Sequence, residues 1–436
     1  MVAALLLTAV PTGAASQDTL SVRPESDLQR FLDAVAPGSV VRLEAGDHRG
    51  PVVLRRAVTV VGAPGARILG SGRGTVVTVE APATRLDRFT VRGSGRDLER
   101  DDAGVLVAAD SVTIQGLRLS DNLHGIYVRG GRGARILGNE IVGLGSGAGV
   151  SAPVGQQTGH AAHPAGHATP TPTPTTQSLA GNGIHLWSAD GAVVERNHIR
   201  GGRDGIYVAH TNGARFVDNR VRETRYGIHY MYSHGNRLAG NDLARNVAGA
   251  ALMFSSDLDV VGNRFHDHAG ALAYGLLLQD VERSRIVDNT LRDNRVGLRL
   301  QSSSANELFR NVITGNVRGV TLGSSSRDNR YSRNRIVANL RDLELTGPVP
   351  PSDWSVHGVG NVWGGALPMD LTGDGVSEWA HHEVDLFGAR REEFPALQLL
   401  SGSLGIRLLE WALGQVPVPG TRHVRDPHPL VPGGGR

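Results

Sequence analysis

The sequence predicts an all-β chain wound as a right-handed parallel β-helix. Two phrases locked to one period carry that reading. The first is a glycine followed by aliphatic residues at alternate places, as in Gly183-Ile184-His185-Leu186, Gly205-Ile206-Tyr207-Val208 and Gly227-Ile228-His229-Tyr230. It returns at Gly249, Gly275, Gly297 and Gly319, in steps of 22 residues with a single step of 26. The second phrase is asparagine, any residue, then an aliphatic or aromatic residue. It keeps the same beat at Asn197, Asn219, Asn241, Asn263, Asn289 and Asn311, and Asn334 closes it. Two phrases on one period indicate one structural coil per repeat.

Within the glycine phrase the apolar residues alternate, which is the period of a strand with one buried face. Ile206, Ile228 and Leu252 are therefore expected to be buried, and Tyr207, His229 and Met253 to point out. Gly, Asn, Asp and Ser fill the corners. The repeat segments lack the length and 3.6 periodicity of a helix. A coil of short strands cannot bury its own apolar face, so it must stack on its neighbours. The handedness follows from the usual sense of parallel crossovers. Asparagines repeated at one corner are expected to pair with each other and with backbone, a structural role.

Composition agrees. The chain has 436 residues, 58 of them glycine, and is only 5% aromatic, which suits a solenoid with a corner every few residues. The formal net charge is +3 and the arginines are scattered along the repeats, so a nucleic-acid surface is not indicated. With no cysteine, a metal site must draw on His, Met, Asp or Glu.

Taken in order, residues 1–16 (MVAALLLTAVPTGAAS) read as the end of a signal peptide without its basic front, the alternative being a buried N-terminal strand. Residues 17–345 form the β-helix. It opens with a cap at residues 24–36, where Ser26 is the expected N-cap and Leu28, Phe31, Leu32 and Val35 share a helical face. Such a cap would cover strand edges that otherwise invite aggregation. Asn139 and Asn197 are 58 residues apart rather than 22, so about 36 residues, roughly 144–179, are inserted into one coil. The insert is rich in Pro and Thr and reads as a surface loop. Its His160, His163 and His167 form a secondary candidate metal loop, against which stands plain low-complexity drift.

Residues 346–436 read as a docking tail. Asp370-Leu371-Thr372-Gly373-Asp374-Gly375 resembles the front of a calcium loop, with Asp370 and Asp374 as ligands. Thr372 and His381 break the pattern, and an ordinary Asp/Gly turn explains it as well. Leu400, Leu404, Leu408 and Trp411 fall near helical spacing and form an apolar stripe for a partner, or else a C-terminal cap. Arg407 and Glu410 argue against a membrane span.

The period also places the outward residues. Tyr127, His185, Tyr207, His229, Ala251, Leu277 and Arg299 share one column, and Arg129, Trp187, Ala209, Met231, Met253, Gln279 and Gln301 the next. Coils lie roughly 4.8 Å apart, so Met231 and Met253 are outward neighbours, with His229 about 7 Å along the strand from Met231. Thioether plus imidazole suits Cu(I) and suits Mg or Ca poorly, so Met231, Met253 and His229, together with His185, form the candidate metal strip. The competing reading is a covered hydrophobic patch. Polysaccharide-cleaving β-helices need outward carboxylates. On this strip the sequence shows no Asp or Glu, and Asp204 is expected at a corner.

The phrase Tyr226-Gly227-Ile228-His229-Tyr230-Met231-Tyr232-Ser233 is similar to a hallmark of the NosD family, β-helical periplasmic proteins of nitrous oxide reductase maturation. So are Ala251-Leu252-Met253-Phe254-Ser255, Asn182-Gly183-Ile184-His185-Leu186-Trp187, Gly360-Asn361-Val362-Trp363 and Asp426-Pro427-His428-Pro429-Leu430. The likeness spans about residues 20–431, and the His/Pro/Thr insert stands outside it. The resemblance implies a periplasmic, non-enzymatic accessory protein that delivers copper, with or without sulfur. It implies an ABC-type ATPase and membrane permease, a copper-binding lipoprotein and nitrous oxide reductase as partners. A polysaccharide-active β-helix and a metal-free scaffolding adaptor are the alternatives. No family motif assigns the copper ligands, so the site rests on the outward-strip geometry.

Overall fold

A computed structural model describes residues 19–145, 180–270, 273–384, 403–415 and 423–432. The signal-like segment, His160, His163, His167 and Leu400 lie outside them. Among the described residues the chain winds through three parallel sheets of 13, 12 and 13 strands. A coil in the middle shows the plan: a strand at Asp204–Ala209, a second at Arg215–Val217, a third at Arg220–Arg222, and then the next coil's Tyr226–Met231. Each strand pairs with its equivalent one coil on, so the glycine strands form one continuous sheet from Val52–Leu54 to Arg341–Thr346. Ile206, Ile228 and Leu252 are buried as expected, in a single core running the length of the solenoid. Each such side chain taken from water contributes about 1.5–3 kcal/mol.

The asparagines form a ladder. From Asn139 to Asn361, each side-chain N–H donates to the amide oxygen one coil on, every time at 2.9 or 3.0 Å. The ladder therefore runs one rung past Asn334. Asn139 bonds directly to Asn197, so the insert departs from one coil and returns to it without breaking the stack. A second ladder, unforeseen in the sequence, passes through Asn246, His268, Asn294, Asn316 and Asn339 at the corner before the glycine strands.

The next coil's backbone, the core and, from Gly227 onward, this second ladder together explain the recurrent glycine. A methyl group on Gly227 would meet the Gly249 carbonyl oxygen at 2.7 Å and the Asn246 amide nitrogen at 3.0 Å, with the core residue Leu243 at 3.2 Å. On Gly205 it would strike Val221, also in the core, at 2.2 Å. The Cβ direction of these glycines therefore points inward, as does the aliphatic residue that follows.

The two ends are capped differently. At the start a helix spans Leu28–Ala34 and buries Leu28 and Leu32. Its N-cap is Asp27, whose carboxylate accepts the Arg30 N–H at 3.0 Å, and not Ser26 as expected. At the far end Val362–Trp363 adds a last strand beside Arg335–Val337, and Trp354 stacks on Tyr331 at 4.0 Å. Asp426 closes the asparagine ladder: its Oδ2 accepts the Asn361 backbone N–H at 2.8 Å and the Trp363 indole N–H at 2.9 Å. The strand His423–Asp426 that carries it pairs antiparallel with His381–Val384.

A helix at Leu404–Gln415 follows. Glu410 accepts two hydrogen bonds from Arg341 of the last glycine strand, at 3.3 and 3.0 Å, which fastens the helix to the solenoid. Leu404, Leu408 and Trp411 nonetheless stay exposed, with Leu409 beside them. No helix among the described residues is long and apolar enough to cross a membrane. In the acidic loop, Asp370 accepts N–H groups from Gly373, Asp374 and Gly375 at 2.6, 3.2 and 2.8 Å. Asp370 thus caps its own Asp/Gly turn, and among the described residues no group of three His, Asp or Glu gathers to hold a metal there.

Candidate functional site

The outward columns stand in the expected register. Tyr127 pairs with His185, His185 with Tyr207, Tyr207 with His229 and His229 with Ala251. One residue pair along the strands, Trp187, Ala209, Met231 and Met253 pair in turn. The first column is a stack of rings. Tyr127 lies 4.3 Å from His185, His185 4.6 Å from Tyr207, and Tyr207 5.2 Å from His229, centroid to centroid.

The rings sit in different chemical states. Burial lowers His185 to about 3 and His124, whose ring is 5.3 Å away, to about 4, so both are neutral. The His124 Nδ1 accepts the Asn182 backbone N–H at 3.0 Å, which puts its own proton on Nε2. His185 packs between two tyrosines, two coils before Met231, and the strip does not bring those two together.

His229 is held differently. Its Nδ1 lies 3.0 Å from Asp204 Oδ2. Arg225 grips the same carboxylate through Nε and Nη2 at 2.8 and 2.7 Å. Burial alone would raise Asp204, but the His229 hydrogen bond and the Arg225 guanidinium hold it well below the usual carboxylate range. An ionised carboxylate only accepts, so the His229 proton sits on Nδ1 and, in the neutral ring, Nε2 keeps its lone pair. This is how ligating histidines are commonly oriented: a carboxylate behind the ring fixes the tautomer and raises ligand basicity.

Asp204 corrects the expectation that the strip lacks carboxylates and that this residue belongs to a corner. It is the first residue of the strand Asp204–Ala209, 1% exposed, in register with Tyr226. Strict alternation would place the residue before each glycine inward. The glycine and the next residue both face inward instead, so the residue before it turns out. Asp204 and Tyr226 therefore join the outer face, with Tyr226 4.8 Å from the His229 ring. The signal was present in the polar or aromatic residues just before five of the seven glycines, Asn182, Asp204, Tyr226, Tyr274 and Arg318, but alternation hid it.

Met231 and Met253 are direct register partners and both half-buried. Met253 also packs against an outer apolar cluster of Ala248, Ala251, Tyr274, Leu277 and Val296. Both readings of the pair thus meet in Met253. Among the described residues no three His, Asp or Glu side chains come together to hold a metal.

The family described as periplasmic copper-binding protein (NosD) matches residues 168–367. A protein of Stutzerimonas stutzeri named probable ABC transporter binding protein NosD is 36% identical over 407 residues, covering 89% of this chain and 86% of its own. The chain belongs to the NosD family. The NosD of Pseudomonas aeruginosa, with the same description, is also 36% identical, over 89% of this chain and 87% of its own. The family is thus a periplasmic, copper-binding one by its description, and these NosD relatives are named as binding proteins. Among solved structures, PfbA, a surface adhesin of Streptococcus pneumoniae, aligns with a TM-score of 0.50 at 11% identity, over 75% of this chain and 92% of its own. That likeness concerns the fold alone.

Proposed function

We propose that the chain is a periplasmic carrier that takes Cu(I) onto the outer face of the glycine sheet and releases it for maturation of nitrous oxide reductase. It works beside an ABC-type ATPase and permease, receives the ion from a copper-binding lipoprotein, and is not an enzyme. The observation that carries this reading is the Asp204–His229 pair beside the Met231–Met253 pair: an oriented imidazole next to two thioethers in register. Cu(I) is soft and favours such ligands. An open face with few ligands holds a cargo ion that a partner's ligand can displace, whereas a closed cage would retain it. The family description and the relatives' names support the copper and the transporter. The exposed Leu404, Leu408 and Trp411 supply an apolar stripe for the permease, on a helix already fastened to the last coil.

Glycan cleavage is the rival. Asp204 is buried and committed to Arg225 and His229, so it is not available as a general acid, base or nucleophile toward a sugar.

Anaerobic Cu(I) titration against a chromophoric chelator tests the proposal. The Met231→Ala/Met253→Ala variant should lose at least about tenfold in affinity, near 1.4 kcal/mol, and fail to support reductase maturation. Gln279→Ala/Gln301→Ala, on the next two coils of the same column, should leave affinity unchanged. Equal copper binding by the wild type and the methionine variant would remove these residues from the site.

A further inference from the structure

The corner that follows six successive glycine strands is left-handed. Ser188, His210, Tyr232, Phe254, Asp280 and Ser302 have φ between 48 and 51°. Serine and aspartate are unremarkable there. Histidine also enters this region readily, as at His210, whereas the bulkier Tyr232 and Phe254 are unusual there. The left-handed turn itself belongs to the solenoid's corners, as at Arg196, Arg245 and Arg310, so the stacking imposes it; what sets these coils apart is that the corner carries rings. These three rings lie beside the two methionines.

The rings form an outer stack. His210 and Tyr232 lie parallel with centroids 5.4 Å apart, and Tyr232 and Phe254 likewise at 5.0 Å. Trp187 meets His210 edge-on at 5.0 Å. Trp187 and Tyr232 are 41% and 42% exposed. An ordinary hydrophobic stack would hide its largest ring, and here the indole is left open. Ala209 is the register partner of both Trp187 and Met231, yet only 1% exposed, so the larger side chains on either side close over it. His210 follows Ala209 directly. It is exposed, and no described residue hydrogen-bonds to its ring nitrogens. The neighbouring histidines are already engaged: His234 with Ser256 and His229 with Asp204.

We propose that His210 and Trp187 complete the Cu(I) site, His210 as a second imidazole ligand and Trp187 as an aromatic cover over the ion, with Met231 shared between the two columns. This rests on the reading that the outer face carries Cu(I). Imidazole and thioether are matched to the ion. The indole face attracts a cation without donating a lone pair. A cover of that sort shields the ion from water and oxidant but yields to an incoming ligand, which a transfer site needs. The left-handed backbone at His210 is then the means by which a residue next to Ala209 is turned onto the outer surface beside Met231.

The test uses the full chain and Cu(I) itself under anaerobic conditions. Tryptophan emission is followed during titration in the wild type and Trp187→Phe, and affinity is measured for the wild type, Trp187→Phe and His210→Asn. Asparagine accepts the left-handed backbone, so His210→Asn should melt no lower than the wild type. The inference expects quenching that saturates near one equivalent and disappears in Trp187→Phe, and at least a tenfold affinity loss in His210→Asn. Unchanged affinity in His210→Asn with quenching retained in Trp187→Phe overturns it. If those two variants bind like the wild type while Met231→Ala/Met253→Ala loses the ion, this inference falls and the carrier reading stands. If the wild type takes up no Cu(I), both fall together.

Discussion

Two stretches of the same sheet differ on one face only. In coils 184–254 the outer columns hold His185, Tyr207, His229, Trp187, Met231 and Met253. In coils 275–346 the same places hold Leu277, Arg299, Thr321 and Glu344, with Gln279 and Gln301 alongside. The inner faces are interchangeable: Ile206, Ile228 and Leu252 against Leu276, Leu298 and Val320, all buried in one core. Stacking therefore governs the inside of every coil alike and leaves the outside free to vary. Upstream that freedom gathers imidazoles, thioethers and rings. Downstream it gathers charge, as in Arg318 with Glu344 at 2.8 Å and Arg341 with Glu410 at 3.0 Å, and the second of these pairs fastens the C-terminal helix.

The sharpest way to break this contrast is to damage the inside. Asn241 donates to Asn263 and to the Phe216 carbonyl, and accepts from Asn219. Asn241→Ala strands several buried polar groups and should cost about 2–4 kcal/mol in urea unfolding followed by circular dichroism. Gln279→Ala, on the outer face nearby, should stay within about 0.5 kcal/mol. If both cost the same, inside and outside are not governed separately.

Gly227→Ala should come next, at about 1–3 kcal/mol in the same assay, because its methyl group meets the Gly249 carbonyl and the Asn246 amide with no flexible end to yield. Gly130→Ala is the comparison. Its added Cβ has nothing within 4 Å, although its φ of 76° still strains the backbone, so it should cost less. A tolerated Gly227→Ala would show that the second ladder does not impose the glycine.

The smallest effect concerns acid. Asp204 is held below the usual range, so its contribution is complete above an ordinary carboxylate pKa of about 4 and is lost only as pH falls further. Asp342, in the last glycine strand, is pushed up to about 6 by burial and then by the nearby Glu383. A carboxyl that holds its proton more tightly when folded stabilises the fold at low pH, and that gain fades as pH rises through about 6. The buried neutral His124, His185 and His268 oppose that gain: as pH falls toward 5 the unfolded chain protonates them and the fold does not, so the melting temperature should fall from pH 7 to pH 5, with Asp342 only blunting the fall. Glu383→Gln should steepen the fall by the equivalent of under about 1 kcal/mol, and Asp204 should contribute nothing to it. A fall unaltered in Glu383→Gln would separate Asp342 from the tail, and a melting temperature that rises would mean that the buried imidazoles take up protons in the fold.

The repeat by itself determined the coil length, the continuous glycine sheet, the buried identity of Ile206, Ile228 and Leu252, and the pairing of Met231 with Met253. These follow from a period of 22 and an alternation of two, which are properties of the chain read in one dimension. The same alternation misplaced Asp204, because the Cβ direction of Gly205 after it points inward, at Val221 and the next coil's Gly227 carbonyl. Only the stacked structure decided that Asp204 orients His229, that His185 is held apart from the methionines, and that left-handed corners bring His210 and Tyr232 beside them. Those relations join residues from different coils, and the angle at which each corner turns its side chain is set by the neighbours above and below it, not by the residues on either side in the sequence.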